Sequence, residues 1–254
     1  MENKKEFGLI GYPLGHSYSK VYFTEKFRSL GIDNASYQTF PLSDIGKMHN
    51  LVKSHKNLVG LNVTTPYKEI VIPYLNEVDA SVLKIGTVNA ISIFRNEESY
   101  HMKGYNTDVD GLRKLFSGFN FSGIEKALIL GSGGSGKTTA FVLKEMGIHC
   151  RFVSRHPSGN ETVSYTSLNA KLMADNLLIV NASPVGMHPL SYNFPDIPYE
   201  YISEKHTCID LVYNPEITEF IKKCREKGAQ TANGTVMLYE QADKAWEVWQ
   251  RDVF

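Results

Sequence analysis

The stretch Ala127–Ala140, ALILGSGGSGKTTA, decides the fold, because two phosphate-binding signatures fit the same letters. Gly131, Gly133 and Gly136 satisfy G-x-G-x-x-G, the dinucleotide fingerprint, while Gly131 to Thr138 satisfies G-x-x-x-x-G-K-T, the phosphate loop of ATPases and kinases. Both loops hold phosphate on backbone N–H groups at a helix N-terminus, so the glycines alone do not separate them. A phosphate loop also needs an acid at the end of another strand to hold magnesium. The nearest candidate, Asp210 in TCIDLVYN, has two plausible strand residues before it. A dinucleotide fold needs a second strand that ends, about 20 positions on, in a residue that reads the ribose. HCRFVSRH supplies Ser154 and Arg155 there. An arginine, with no Asp or Glu in the turn SRHPSG, favours the 2′-phosphate of NADP over the free ribose of NAD. The dinucleotide reading is the better supported of the two.

Outward from this stretch, short apolar runs alternate with segments of helical period. FGLIG is followed by a helix over Ser19 to Leu30, SYQTF by a helix over Ser43 to Ser54, and then comes NLVGLNV. Such alternation predicts βαβ units and a mostly parallel sheet. TVNAISIF and YHMKGYN read as paired strands, and the alternation restarts at KALILG with a helix over Gly136 to Met146. The expected fold class is α/β with two α/β domains: an N-terminal domain with a mostly parallel sheet, and a Rossmann-type domain. The expected boundaries are 1–105 plus 235–254 for one domain and 106–234 for the other. TVMLYEQADKAWEVWQ places Leu238, Ala242, Ala245 and Trp249 on one helix face, a stripe suited to docking on the first domain.

Composition narrows the partners. With 27 Lys+Arg against 27 Asp+Glu, there is no basic stripe for nucleic acid, so a small-molecule partner is expected. MENKKEFGLIGYP lacks the apolar core of a signal peptide, and no apolar run nears the roughly 20 residues that span a bilayer. A cytoplasmic protein without membrane contact, monomer or homodimer, is expected. Cys150, Cys208 and Cys224 lack C-x-x-C spacing and read as ordinary thiols, with no metal site.

Polar clusters fall at the C-terminal ends of the first-half strands, where open α/β sheets place ligands. GYPLGHSYS offers Ser17 and Ser19, whose period-2 spacing turns both hydroxyls the same way. GLNVTTPYK offers Asn62, Thr64 and Lys68; GTVNA offers Asn89; GYNTDVDG offers Asn106, Thr107 and Asp108. Singly, Ser17, Ser19, Asn89 and Asp108 suit helix caps and turns. Together at strand ends, they suit a small molecule rich in hydroxyls and carboxylate. Reduction of a ketone by hydride builds negative charge on oxygen and needs a proton donor in reach, a task for Lys68 paired with Asp108. A solvated surface charge is the plain alternative for Lys68. His16 reads as a loop residue without a catalytic role.

These blocks, followed in order by GSGGSG, NASPVGM, DLVYNP and NGTVMLYEQA, resemble the shikimate dehydrogenase family from the first strand to the last helix. The resemblance implies reversible reduction of 3-dehydroshikimate to shikimate with NADPH, a step toward the aromatic amino acids. It implies a substrate domain from the N-terminal half plus the terminal helix, a Rossmann-type NADP domain, and an active site in the cleft between them. Lys68 and Asp108 would be the catalytic pair. Ser17 and Ser19 would hold the substrate carboxylate; Asn62, Thr64, Asn89 and Gln241 would contact its hydroxyls; Tyr213 would line the site. Cofactor contacts would come from Gly131, Ser132, Gly133, Gly134, Ser135, Gly136, Ser154, Arg155, Ala182, Ser183, Met187, Val212 and Gly234.

The sequence departs from the family pattern in places. Lys20 stands where a proline is usual, Ala90 follows Asn89 in place of threonine, and the cofactor turn reads SRH in place of NRT. Gly159 falls where a second arginine often sits, so the strictness of NADP preference stays open, as does shikimate against quinate. Two readings from other classes remain: a phosphate-loop kinase or NTPase, and a regulatory protein that binds without chemistry. The last predicts loss of the lysine and carboxylate, which are both present.

Overall fold

The computed structural model describes residues 4–15, 17–96 and 99–253. Two compact units divide at Thr107/Asp108 and again at Gln241/Ala242, so that residues 1–107 and 242–254 form one unit and residues 108–241 the other.

The first unit runs β1 (Lys5–Gly11), α1 (Tyr18–Ser29), β2 (Ala35–Pro41), α2 (Met48–Ser54), β3 (Leu58–Val63), α3 (Tyr67–Ile70), β4 (Glu77–Val78), α4 (Ala80–Ile85), β5 (Ala90–Arg95) and β6 (Tyr100–Tyr105). Its sheet has the order β2-β1-β3-β5-β6-β4. β1 pairs in parallel with β2 and β3, whereas β5 runs antiparallel to both β3 and β6. Strand alternation distributes β1 over two cores. Phe7 and Leu9 point into an aromatic cluster with Phe23, Phe27, Tyr37, Trp246 and Trp249, while Ile10 points into an aliphatic cluster with Met48, Val52, Leu61, Ile91 and Met102. Fully buried Trp249 donates its indole N–H to the Ile91 carbonyl at 3.0 Å, which satisfies its one polar atom inside the core.

The second unit runs α5 (Asp108–Phe116), β7 (Lys126–Leu130), α6 (Gly134–Glu145), β8 (His149–Ser154), β9 (Thr162–Ser164), α7 (Ala170–Asp175), β10 (Leu178–Asn181), β11 (Thr207–Asp210), α8 (Glu219–Glu226), β12 (Gln230–Ala232) and the start of α9 (Thr235–Val253). All its strands are parallel, in the order β12-β11-β10-β7-β8-β9. This is the doubly wound order in which the chain reverses its direction of growth between β7 and β10, and ligands bind beyond the carboxyl ends of the strands at that point. Ala127 to Leu130 are fully buried, as a central parallel strand covered on both faces requires.

Differences from the sequence reading are local. Ser43 to Ser54 is a single turn over Ile45–Lys47 followed by α2, because Asp44 caps it by accepting from Gly46 N at 2.8 Å. α6 starts at Gly134, before the expected Gly136. The short strands β4, β9 and β12 carry too few residues for a period to register. Among the described residues, no helix is long and apolar enough to cross a membrane.

Candidate functional site

In the first unit, topology gathers the candidate residues at one edge. β1 and β3 end there in parallel, β5 begins there with Ala90 opposite Asn62, and β6 ends there with Tyr105 opposite Ala90. The segments holding Ser17 and Ser19, then Asn62, Thr64 and Lys68, then Asn89, then Asn106 and Thr107, are therefore neighbours on one rim. His16 lies outside the described residues.

The rim is hydrogen-bonded. Ser17 caps α1, its hydroxyl accepting from Lys20 N at 3.2 Å. Ser19 is within α1, so the pair follows a helix start and not the alternation of a strand. Ser19 bonds the phenol of Tyr37, which in turn donates to Asn62 Oδ1 at 2.7 Å. Burial drives the Tyr37 phenol far above its usual range, so this hydroxyl stays protonated and keeps donating. Asn62 Nδ2 donates to the Asn89 carbonyl at 3.3 Å, and the Asn89 side chain exchanges bonds with Thr107, accepting from Thr107 N at 2.7 Å. Asn106 Nδ2 reaches Thr87 Oγ1 at 2.7 Å. Asn62, Asn89, Asn106 and Thr107 are all at most 6% exposed, so their amides are fixed and cannot relax toward solvent. Lys68 and Thr64 are half-buried, and Lys68 sits on the single turn α3. Tyr37 was missed by the sequence reading; its inward position in SYQTF was the available signal.

In the second unit, the glycine turn links β7 to α6. Gly131 has φ +109°, a conformation suited to glycine, and a Cβ there would lie 3.2 Å from Ser183 N. Gly133 forms the N-cap of α6 without a side-chain cap, and a Cβ there would meet nothing within 4 Å. A Cβ on Gly136 would lie 2.2 Å from the Gly131 carbonyl oxygen. The three positions thus divide into a tight turn, an open approach to the helix N-terminus and a close helix-to-turn contact, which is the division of labour for a bound pyrophosphate. The residues present fit a dinucleotide. Ser132, Ser135 and Gly134 flank the same turn, and Lys137 is half-buried in the first turn of α6.

Two observations oppose the phosphate-loop alternative. Thr138, which would hold magnesium, is fully buried and donates its hydroxyl to the Gly134 carbonyl at 3.0 Å. Asp210 does end a strand, but it is fully buried and accepts from Asn181 Nδ2 at 2.9 Å, Val212 N at 3.0 Å and Thr218 Oγ1 at 2.6 Å. Burial pushes its carboxyl up to about 6 despite those three donors.

Other candidates take these places. Ser154 is the last residue of β8 and Arg155 is exposed just beyond it. Ala182, Ser183 and Met187 follow β10, and Val212 and Tyr213 follow β11. Gly234 N donates to the Val212 carbonyl at 3.2 Å, and a Cβ on Gly234 would stand 2.1 Å from the Leu211 carbonyl oxygen. Gln241 donates to the Leu238 carbonyl at 2.8 Å. Asp108, 4% exposed, opens α5 directly after Thr107. Cys150, Cys208 and Cys224 are free thiols, and burial pushes that of Cys150 up to about 12, far from a reactive thiolate. A separate cleft of about 530 Å³ lies in the first unit between Phe94, His101, Tyr105 and Arg251, and it contains none of the candidates.

The model of the shikimate dehydrogenase substrate binding domain matches residues 9–91. The shikimate dehydrogenase (NADP(+)) of Methanosphaera stadtmanae is 32% identical, covering 95% of this chain and 90% of its own. That of Halothermothrix orenii is 36% identical, covering 95% and 89%. Among solved structures, shikimate 5-dehydrogenase from Thermus thermophilus in complex with NADP(H) and shikimate matches with TM-score 0.81 and 30% identity, over 97% of this chain and 94% of that one.

Proposed function

The chain belongs to the shikimate dehydrogenase family, and from that premise we propose that it interconverts 3-dehydroshikimate and shikimate with NADP(H), a step toward the aromatic amino acids. It is an oxidoreductase acting on a ring CH–OH group, at work in the cytoplasm as a monomer or homodimer. The observation that carries this reading is the buried polar rim of the first unit, where Tyr37, Asn62, Asn89 and Thr107 form one hydrogen-bonded chain, with Tyr37, Asn62, Lys68 and Asn89 inside the residues matched to a substrate-binding domain.

The rim binds and orients. Ser17 and Ser19 bind the substrate carboxylate through hydroxyl donors, and Asn62, Thr64, Asn89, Tyr213 and Gln241 bind its hydroxyls. Because the asparagine amides are already held by neighbours, little ordering is left to be done on binding, which favours a defined pose. Lys68 and Asp108 hold the proton at the reacting oxygen: it leaves the shikimate hydroxyl during oxidation and returns to the ketone oxygen during reduction. NADP(H), when bound, accepts or supplies the hydride. The turn Gly131–Gly136 holds its pyrophosphate, Ser154 and Arg155 its 2′-phosphate, and Ala182, Ser183, Met187, Val212 and Gly234 its remaining length.

The test is to follow formation of reduced nicotinamide with shikimate and with quinate, each with NADP⁺ and with NAD⁺. Turnover greatest with shikimate and NADP⁺ is expected. Turnover with quinate at equal kcat/KM favours the broader quinate/shikimate reading, and no turnover with any pair contradicts both.

A further inference from the structure

The dinucleotide unit contains a buried carboxylate that the reading above leaves without a task. Asp210 is the last residue of β11 and is fully buried. Its Oδ1 accepts from Asn181 Nδ2 and Val212 N, and its Oδ2 accepts from Thr218 Oγ1. Each donor begins a different piece of chain. Asn181 ends β10 and begins the segment with Ala182, Ser183 and Met187. Val212 begins the turn with Tyr213. Thr218 caps α8, accepting from Ile221 N at 3.3 Å.

The bonds continue beyond Asp210. A carboxylate at neutral pH only accepts, so the Asn181 amide is forced to present its NH₂ to Asp210 and its oxygen to the turn ahead. That oxygen accepts from Ser183 N at 3.2 Å and from Ser183 Oγ at 2.6 Å, and Val185 N donates to Ser183 Oγ at 3.3 Å. Ser183 is the residue whose backbone would be met, at 3.2 Å, by a Cβ on Gly131 in the phosphate turn. On the other side, Val212 accepts from Gly234 N. One carboxylate therefore sets the rotamer of Asn181, the turn at Ser183 and the turn at Val212, all at the carboxyl ends of β10 and β11 beside the reversal point of the sheet. Burying an ionisable group where an asparagine pair would be simpler costs stability, and this cost is unaccounted for by packing alone.

We propose that Asp210 is a positioning residue for the dinucleotide, acting through Asn181 and Val212 on the two segments that carry the expected contacts beyond the pyrophosphate. The inference rests on the functional reading above. The cost of losing it follows from the bond it makes to Asn181 and Val212, since a hydrogen bond to a charged group is worth enough to change affinity by about tenfold.

The experiment measures kcat, KM for NADP⁺ and KM for shikimate, with calorimetric Kd for NADP⁺, in wild type, Asp210→Ala, Asp210→Asn and Met173→Ala. Met173 is a fully buried residue of α7 outside this network and controls for lost stability. All measurements are made well below each variant's melting temperature. Asp210→Ala is expected to raise KM and Kd for NADP⁺ by about tenfold while KM for shikimate stays within about threefold. Asp210→Asn keeps an Oδ1 acceptor for Asn181 and Val212, and should recover to within about threefold of wild type. If Asp210→Ala does not fold, Asn181→Ser replaces it, with the same rise expected. Unchanged NADP⁺ affinity in the folded variant, an Asp210→Asn as impaired as Asp210→Ala, or an equal rise in Met173→Ala would each overturn the proposal. A wild type that binds no NADP⁺ would instead overturn the functional reading.

Discussion

Gly136 faces Gly131 so closely that a Cβ on the first would stand 2.2 Å from the carbonyl oxygen of the second. Gly133, between them in sequence, has open space where its Cβ would be. An added side chain should therefore act differently at the two sites. Gly136→Ala forces the turn and α6 apart and is expected to cost about 1–3 kcal/mol of stability. Gly133→Val should leave the melting temperature nearly unchanged yet weaken NADP⁺ binding by at least about tenfold, because it fills the space through which backbone meets pyrophosphate. Thermal melts and calorimetric titrations with NADP⁺ separate the two effects, and a Gly133→Val that binds NADP⁺ normally would mean the cofactor lies elsewhere.

Lys137 supplies the sharpest contrast between the two readings of the glycine stretch. In the dinucleotide reading, the backbone and helix N-terminus hold the pyrophosphate, so Lys137→Ala should retain shikimate oxidation within about tenfold of wild type. In the phosphate-loop reading, the lysine reaches the β- and γ-phosphates and its loss abolishes binding. Titration of both proteins with NADPH and with Mg-ATP should give NADPH binding in each and specific ATP binding in neither. Magnesium-dependent ATP binding that vanished in the variant would oppose the assignment.

Arg155 is exposed at the end of β8, the position from which a cofactor ribose is read. Arg155→Asp should lower kcat/KM for NADP⁺ and raise the ratio in favour of NAD⁺, since a carboxylate repels the 2′-phosphate and accepts from the free hydroxyl. An unchanged ratio would show that Arg155 points away from the ribose.

Much of this was legible in the sequence, for identifiable reasons. Central strands such as β7 are buried on both faces, and an unbroken apolar run with a glycine turn after it has few other readings. The rim residues that follow β1, β3 and β6 were legible as polar types after strands, whereas Asn89 reaches the same edge from the start of β5, which runs antiparallel to its neighbours. What the sequence withheld was pairing across distance. Tyr37 bonding Asn62 and Asp210 bonding Asn181 each join residues on different strands, and no local period encodes such a bond. Asp210 read as a weak magnesium ligand because TCID showed its strand as short; the fold makes it a buried acceptor. Residues 242–253 of α9 belong to the first unit because Ala242, Ala245, Trp246 and Trp249 bury one stripe in its aromatic core.

Asp210 also predicts a pH effect on stability. Its carboxyl is raised from 3.8 to about 6 in the folded chain, so its contribution is fully present below about pH 4 and is lost as pH rises through 6. The full loss amounts to roughly 3 kcal/mol. Glu77, held down chiefly by the hydrogen bond from Lys103, works in the opposite direction and only in acid, so the clean readout is a difference between proteins. The stability of wild type minus that of Asp210→Asn, from urea melts at successive pH values, should fall between about pH 4 and pH 6 and level off above about pH 7. A difference independent of pH would mean that Asp210 ionises normally.

Under the proposed function, the polar rim orients shikimate while Lys68 and Asp108 transfer its proton in an NADP-linked oxidation. The most direct test of this claim is the steady-state rate of NADPH formation from NADP⁺ and shikimate by wild type and by Lys68→Ala, with folding and NADP⁺ affinity checked in both. The predicted result is shikimate-dependent turnover by wild type and a folded variant that binds NADP⁺ normally but has kcat lower by roughly 10² to 10⁴. Near wild-type kcat with only KM changed would reduce Lys68 to a binding group, and no shikimate-dependent NADPH formation by wild type would contradict the account as a whole.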